Sequence, residues 1–108
     1  MEVTPFDFRL EVEKIGDRAV LLIAGDVDLA TTPMVLNKLE SLFRDPIASL
    51  TLDLGAVTFL DSSGIHGLLQ AHTLAVEHGV PFTVESVSTM ARTVIKTAGL
   101  IELFGMES

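Results

Sequence analysis

The chain of 108 residues has no cysteine, no tryptophan and no tyrosine, and each absence removes a class of function. Without cysteine there is no disulfide framework, no thiolate metal site and no cysteine nucleophile. Without tryptophan and tyrosine, the usual aromatic platforms for stacking nucleic-acid bases are missing. Basic residues are scarce as well, because 7 Lys and Arg stand against 15 Asp and Glu for a net charge of −8. That charge has the wrong sign for contact with a phosphate backbone, so nucleic-acid binding is not expected.

Long apolar runs and targeting signals are also lacking. The longest apolar run, Ala19 to Ala24, is far shorter than the about 20 residues that a membrane-spanning helix needs. Residues 1–14 alternate charged and apolar positions, which is not the pattern of a secretory signal peptide. Hydrophobic residues make up 48% of the chain, which is enough to build a core. We therefore expect one cytoplasmic domain over residues 1–108, without membrane association.

The pattern of apolar residues predicts four strands. Residues 6–13 alternate strictly between apolar and charged side chains, which is typical of a half-exposed strand. The apolar run from Ala19 to Ala24 predicts a second strand, buried on both faces and joined to the first as a hairpin. Two more strands are predicted, one over residues 50–54 and ended by Gly55, the other over residues 82–87.

Helical spacing of apolar residues predicts three helices. The first starts with Thr32 as N-cap and Pro33 in its first turn. The second runs from Ser63 to His78, and the third is capped by Ser88. The segment from Leu100 onward predicts a short strand or a helical turn. A strand–helix–strand order makes the two flanking strands parallel, so the sequence predicts one α/β domain with a mixed sheet.

Two acidic turns carry the functional information. Residues 25–28 (Gly-Asp-Val-Asp) follow the second predicted strand, and residues 61–64 (Asp-Ser-Ser-Gly) stand where the second helix begins. Functional sites of open α/β sheets usually lie at the edge where the carboxyl ends of parallel strands meet. We therefore expect both turns to lie together at that edge.

The Asp-Ser-Ser-Gly segment has two explanations. Either Asp61 or Ser62 is only an N-cap, since a short polar side chain accepts a hydrogen bond from a free N–H of the first turn. Alternatively, Ser62 is a phosphoacceptor, exposed at the positive end of a helix where a phosphate is tolerated. A phosphate adds a charge of about −1.5 to −2 beside Asp61, Asp26 and Asp28. Gly64 lacks a Cβ, so a partner could approach the backbone closely there.

The chain resembles the anti-sigma-factor antagonists, whose fold is the STAS domain. The resemblance is carried by residues 25–28 and by residues 57–65 (Val-Thr-Phe-Leu-Asp-Ser-Ser-Gly-Ile). The resemblance runs over nearly the whole chain, including the closing segment 98–100. It implies a mixed sheet of about four or five strands with helices packed mainly on one face. It also implies a bacterial partner-switching role, in which the antagonist binds an anti-sigma factor that is also a serine kinase and so frees a sigma factor for stress-response transcription.

The resemblance implies roles for individual residues. The kinase would phosphorylate Ser62, the first serine after Asp61, and a serine phosphatase would reverse this. Ser63 is the second candidate acceptor. The implied partner-binding residues are Asp26, Asp28, Asp61, Ser63, Gly64, Ile65 and His66. His66 stands where many relatives carry glycine, and Gly67 follows one step later. A phosphorylation target of this kind needs no catalytic residue, cofactor or metal of its own.

An enzyme is one competing hypothesis. The Gly-x-Ser-x-Gly elbow of hydrolases is missing, because Leu60 and Asp61 occupy the positions that require glycine. His72 falls on the apolar stripe of its helix, which predicts a packed histidine at the edge of the core. His66 and His78 are expected to face solvent, and the three histidines lack metal-ligand spacing.

A phospho-aspartate receiver is a second competing hypothesis. In a receiver, Asp26 and Asp28 would hold Mg²⁺ while Asp53 accepts the phosphoryl group. Asp53, however, lies within the predicted strand and is followed by Leu54, and no lysine directly follows residues 82–87 to neutralise the charge. We therefore expect Asp53 to be a polar residue near the strand end. A third hypothesis keeps the fold and changes the function, because similar domains serve in stress-sensing assemblies or regulate transport ATPases. Fold alone does not separate these functions.

Overall fold

The computed structural model describes residues 8–106, which form one four-stranded mixed sheet and three helices. In chain order the elements are β1 (Arg9–Ile15), β2 (Arg18–Val27), α1 (Thr32–Leu42), β3 (Ser49–Leu60), α2 (Ser62–Glu77), β4 (Phe82–Val87) and α3 (Thr89–Thr97). The strands lie side by side in the order β1-β2-β3-β4. The β1–β2 pair is antiparallel, and β2–β3 and β3–β4 are parallel, as the sequence predicts.

All three helices pack on the same face of the sheet. The strand sequence β2, β3, β4 advances in one direction, so two right-handed crossovers place α1 and α2 on one side. The single core cluster joins alternate strand residues to all three helices, and its members include Leu21, Ile23, Leu52, Leu39, Leu68 and Ile95. The opposite face of β2 is only half-buried at Val20 and Leu22. The prediction that β2 is buried on both faces is therefore wrong, because no helix among residues 8–106 covers its second face.

The first strand begins at the start of the described region. Phe6 of the predicted strand lies outside the described residues, and Phe8 is buried just before β1. Leu10 pairs with Ile23 and therefore points to the helix-covered face, while Glu11 and Glu13 are exposed. The predicted hairpin with β2 is confirmed over this part, but β1 is more exposed than the alternation predicts, because Leu10 is its only half-buried residue and Val12 is 38% exposed.

The third strand is longer than its sequence suggests. It continues through Gly55 to Leu60, whereas the apolar alternation predicts an end at Gly55. Its register against β2 shifts twice, between Leu22 and Ala24 and between Gly25 and Asp26, so β3 carries extra residues at both places. Such bulges break the period of two in the sequence without ending the strand. The extension brings the end of β3 level with the end of β2.

The helix starts lie within one residue of those predicted. Thr31 rather than Thr32 precedes α1, and its side chain makes no capping hydrogen bond. Ser88 Oγ accepts a hydrogen bond from Ala91 N at 3.2 Å, which confirms the predicted cap of α3. The last described residues form helical turns that bury Phe104 against the core, which is one of the two structures predicted there.

Candidate functional site

The two acidic turns lie together at the carboxyl edge of the parallel strands. Val27, the last residue of β2, pairs with Leu60, the last residue of β3. Asp61 N, directly after this pair, donates a hydrogen bond to Val27 O at 3.4 Å. The predicted juxtaposition of residues 25–28 and 61–64 is therefore confirmed.

Asp61 caps helix α2 and leaves Ser62 free of that role. Asp61 Oδ1 accepts a hydrogen bond from Gly64 N at 3.0 Å, and Asp61 O accepts one from Ile65 N at 2.9 Å. Ser62 is the first residue of α2 and is exposed, whereas Ser63 is half-buried. Within residues 8–106, no protein group hydrogen-bonds to the Ser62 hydroxyl. The cap and the candidate phosphoacceptor are thus two different side chains.

Gly64 serves the internal packing of the α2 start. A Cβ at Gly64 would lie 2.5 Å from Val27 O and 2.5 Å from Leu60 Cδ1, far inside van der Waals contact. The first turn of α2 therefore rests directly on the ends of β2 and β3, and Gly64 is buried there. This corrects the expectation that the missing side chain makes room for a partner, because the protein's own strands fill that space.

Asp28 closes the loop between β2 and α1. Its Oδ1 accepts hydrogen bonds from Ala30 N at 3.0 Å and from Thr31 N at 3.1 Å. In return, Asp28 N donates to Thr31 Oγ1 at 3.0 Å, and the Thr31 hydroxyl donates to Asp26 O at 2.7 Å. These reciprocal bonds occupy the Thr31 hydroxyl, which is why it does not cap α1. An aspartate three residues before a threonine is the sequence signal for this loop, and sequence reasoning missed it.

Asp26 links the first acidic turn to the neighbouring strand β3. Its Oδ1 accepts a hydrogen bond from the Thr58 hydroxyl at 2.6 Å. Asp26 and Asp28, both expected to contact a partner, thus each use one carboxylate oxygen within the protein. Both remain half-buried, so their negative charge still belongs to the surface around Ser62.

Two exposed apolar side chains at this edge were not singled out by sequence reasoning. Leu29, in the loop closed by Asp28, is 77% exposed, and Phe59, paired with Asp26, is 44% exposed. Their signal in the sequence is an apolar residue that belongs to neither strand nor helix periodicity.

The remaining predicted partner residues follow along the first turns of α2. His66 is exposed, and its Nε2 lies 3.4 Å from Gln70 Nε2, while Ile65 is half-buried against the core. Gly67 faces α1, because a Cβ at this position would lie 2.6 Å from Thr32 Cγ2. The position of glycine one step after His66 therefore reflects close packing between α1 and α2.

The other histidines have structural surroundings. The His72 ring is half-buried, with its centroid 5.5 Å from that of Phe82 and 6.4 Å from that of Phe104. This confirms the prediction of a packed histidine at the core edge. His78 is exposed, stacks on Phe43 at 4.5 Å, and its Nδ1 lies 2.9 Å from Leu74 O.

Asp53 is far from the acidic turns. It lies in the interior of β3 opposite Leu22, and its Oδ1 accepts a hydrogen bond from Gly55 N at 3.0 Å. The prediction that Asp53 lies within a strand is confirmed, but the prediction that it is near the strand end is wrong, because β3 continues to Leu60. Asp26 pairs with Phe59, further along β3 than Asp53. At about 3.3 Å per residue, Asp26 therefore lies roughly 15–20 Å from Asp53. The receiver arrangement of three carboxylates around one cation does not form.

Metal-binding clusters and membrane-spanning helices are both absent from the described part of the chain. Residues 8–106 contain no cluster of three or more His, Asp or Glu side chains that is able to hold a metal ion. Among the helices of the same region, none is long and apolar enough to cross a membrane.

Comparison with known proteins identifies the family. The STAS domain model matches residues 9–108. The anti-sigma-F factor antagonist RsfB of Mycobacterium tuberculosis is 32% identical over 90 residues, which cover 83% of this chain and 73% of RsfB. The crystal structure of an anti-sigma factor antagonist from Mycobacterium paratuberculosis has a TM-score of 0.84 and 25% identity, over 97% of this chain and 89% of that one.

A more distant structure shares the fold. The Bacillus cell fate determinant SpoIIAA, solved in its phosphorylated form, has a TM-score of 0.68 and 18% identity, over 85% of each chain. With a family model that matches nearly all of its length and a curated relative at this level of identity, the chain belongs to the STAS domain family.

Proposed function

We propose that this chain is an anti-sigma-factor antagonist that acts in the cytoplasm as a binding module, not as an enzyme. In its unphosphorylated form it binds an anti-sigma factor that is also a serine kinase, and the bound anti-sigma factor releases its sigma factor. Phosphorylation of Ser62 ends the binding, and a serine phosphatase restores it. The observation that carries this proposal is an exposed Ser62 hydroxyl on a helix whose cap is supplied by Asp61.

The geometry of the α2 start suits a phosphoacceptor. Ser62 is exposed and its hydroxyl is not needed for capping, so an outside kinase can reach it without unfolding the helix. A phosphate at the first residue of a helix is favoured by about 0.3–1 kcal/mol through the helix dipole. Ser63 is the runner-up because it lies one residue further on and is half-buried.

Charge explains why a modified antagonist would release its partner. A phosphate of about −1.5 to −2 would join the carboxylates of Asp26, Asp28 and Asp61 at the same edge. In the free protein, water and salt screen this repulsion over about 8 Å. When a partner closes over this edge, water no longer screens the phosphate from the three carboxylates of its own chain. Holding these like charges together at a closed interface costs several kcal/mol, so the complex would dissociate while the fold remains intact.

No catalytic group is assembled around Ser62 in the part of the chain that the structure describes. Its hydroxyl has no hydrogen bond from a histidine there, and His72 packs instead against the rings of Phe82 and Phe104. The proposal therefore assigns phosphorylation and dephosphorylation to separate proteins.

The test combines the chain with each histidine-kinase-like ATPase of the genome that encodes it. Complexes would be captured from purified proteins, incubated with ATP, and the phosphorylated residue mapped by mass spectrometry. We expect Ser62→Ala to bind the anti-sigma factor without being released by ATP, Ser62→Asp to bind poorly, and the matched Ser63→Ala variant to behave like the unmodified chain. Phosphate on another residue, or tight binding by Ser62→Asp, contradicts the charge mechanism. Recovery of a transport ATPase in place of an anti-sigma factor contradicts the proposed partner.

A further inference from the structure

We propose that Leu29 is an apolar anchor for the anti-sigma factor, held in place by the hydrogen bonds between Asp28 and Thr31. This inference rests on the proposed function and deepens it, because it assigns a binding role to a residue outside the Asp-Ser-Ser-Gly segment. The anti-sigma factor surface that receives Leu29 is expected to be an apolar pocket with a basic rim.

The Leu29 side chain is apolar and largely exposed to solvent. It is 77% exposed, the highest value among the exposed large hydrophobic residues of the described region. A single exposed leucine is common on protein surfaces and carries little meaning alone. Here, however, it stands at the edge where Ser62 is also exposed, which makes the position informative.

The loop presents Leu29 in a fixed position. Asp28 Oδ1 accepts from Ala30 N and Thr31 N, and Thr31 Oγ1 accepts from Asp28 N, so hydrogen bonds close the backbone on both sides of Leu29. Thr31 is buried, and its hydroxyl also donates to Asp26 O at 2.7 Å. A loop backbone that is already held in place loses less conformational freedom on binding, and this favours affinity.

Leu29 and Ser62 follow the ends of the neighbouring strands β2 and β3 at the same spacing. Val27 and Leu60 are the last paired residues of β2 and β3, and Leu29 and Ser62 each come two residues later. A partner that covers Ser62 therefore also reaches the loop that carries Leu29. A phosphate on Ser62 would place a strongly hydrated dianion beside this apolar contact, which adds desolvation to the charge repulsion.

The charge of this edge favours an anti-sigma factor with basic residues over a second copy of the chain. Asp26, Asp28 and Asp61 surround the edge, and the chain has a net charge of −8. Two copies meeting here would bring both sets of carboxylates together, and like charges across an interface weaken binding strongly. A partner with basic residues around an apolar pocket gains from both the carboxylates and Leu29.

This arrangement makes Asp28 a positioning residue. If its carboxylate works by holding the loop, Asp28→Asn keeps the acceptor oxygen for Ala30 N and Thr31 N and retains most of the binding. If it works by charge against the partner, Asp28→Asn loses as much affinity as Asp28→Ala.

The experiment measures the Kd of unphosphorylated variants for the anti-sigma factor that binds the unmodified chain. Leu29→Ala is compared with Val76→Ala, because Val76 is 64% exposed and lies in the last turn of α2, away from the Ser62 end. We expect Leu29→Ala to weaken binding by about tenfold or more, which exceeds the loss at most interface positions, and Val76→Ala to leave it within about twofold. Both variants should melt within a few degrees of the unmodified chain, since both side chains are exposed.

The kinase reaction gives a second readout. Leu29→Ala should raise the KM for phosphorylation of Ser62 and leave kcat nearly unchanged, because the acceptor hydroxyl itself is untouched. Asp28→Asn should bind within about threefold of the unmodified chain, and Asp28→Ala should lose about as much affinity as Leu29→Ala.

Each outcome decides the inference. Equal affinities for Leu29→Ala and Val76→Ala would overturn it while leaving the proposed function in place. A dimer of the unmodified chain that Leu29→Ala converts to a monomer, with unchanged anti-sigma binding, would overturn it in favour of a second copy. If the unmodified chain binds no anti-sigma factor, the proposed function fails first and the anchor fails with it.

Discussion

Gly64→Ala is expected to destabilise the domain at the start of α2. The added Cβ would lie 2.5 Å from Val27 O, 2.5 Å from Leu60 Cδ1 and 3.1 Å from Val27 Cγ1. Contact at ordinary van der Waals distance requires roughly 3.5–4 Å, so the helix start would have to move by about 1 Å or more. Leu60 is able to rotate, but Val27 O belongs to the backbone of a paired strand and cannot yield in the same way.

The magnitude follows from two opposing effects. Overpacking of this kind costs about 1–3 kcal/mol, and replacing glycine by alanine in a helix returns at most about 1 kcal/mol. Because the backbone oxygen of Val27 cannot yield, the overpacking cost is expected in the upper part of that range, about 2–3 kcal/mol, and the net loss in the free energy of unfolding is then about 1–2 kcal/mol. For a domain of this size, each kcal/mol lowers Tm by roughly 4–8 °C, so Tm should fall by about 4–16 °C.

Thermal unfolding followed by circular dichroism measures this loss. Leu60→Ala in the Gly64→Ala background removes one of the three close atoms but leaves Val27 O and Val27 Cγ1, so the double variant should show no recovery. Anti-sigma binding should also weaken in Gly64→Ala, because the displaced turn carries Ser62. A Tm for Gly64→Ala equal to that of the unmodified chain would refute the reasoning from close backbone contact.

Three further predictions concern the same helix. Gly67→Ala should lower Tm, because its Cβ would lie 2.6 Å from Thr32 Cγ2. Thr32→Ser removes that methyl group and should recover most of the loss in a double-mutant cycle, whereas additive losses would contradict the contact. Asp61→Ala should lower the free energy of unfolding by about 0.5–2 kcal/mol, measured by chemical denaturation. Asp61→Asn still accepts a hydrogen bond from Gly64 N and should lower it less. Equal losses would show that the capping hydrogen bond contributes nothing to stability. Ser62→Ala should leave the unfolding free energy within about 0.5 kcal/mol by the same method, and a larger loss would mean that its hydroxyl is structural.

Features that depend on neighbours along the chain were predictable from the sequence. The cap at Ser88 requires only a donor three residues away, and the cap at Asp61 works in the same way. The hairpin follows from alternation in β1, and the crossovers follow from the order of strands and helices. These together predicted that residues 25–28 and 61–64 share an edge, because strand ends in a parallel sheet must meet there.

Features that depend on distant residues were decided by the tertiary structure. The extension of β3 past Gly55 exists because β2 pairs with it across two bulges, and bulges interrupt the alternation by which a strand is recognised. The single covered face of β2 depends on where two crossovers place their helices, which an apolar run cannot encode by itself.

The features of the candidate site fall into the same two groups, local ones and ones set by distant residues. The sequence alone determined that Ser62 follows an aspartate at a helix start, since capping and helix periodicity are local. Only the folded chain decided that Val27 O fills the space beside Gly64 and that the Thr58 hydroxyl bonds to Asp26. Contacts of this second kind join residues far apart in the sequence, and their identity is fixed only when the strands pair and the helices pack against them.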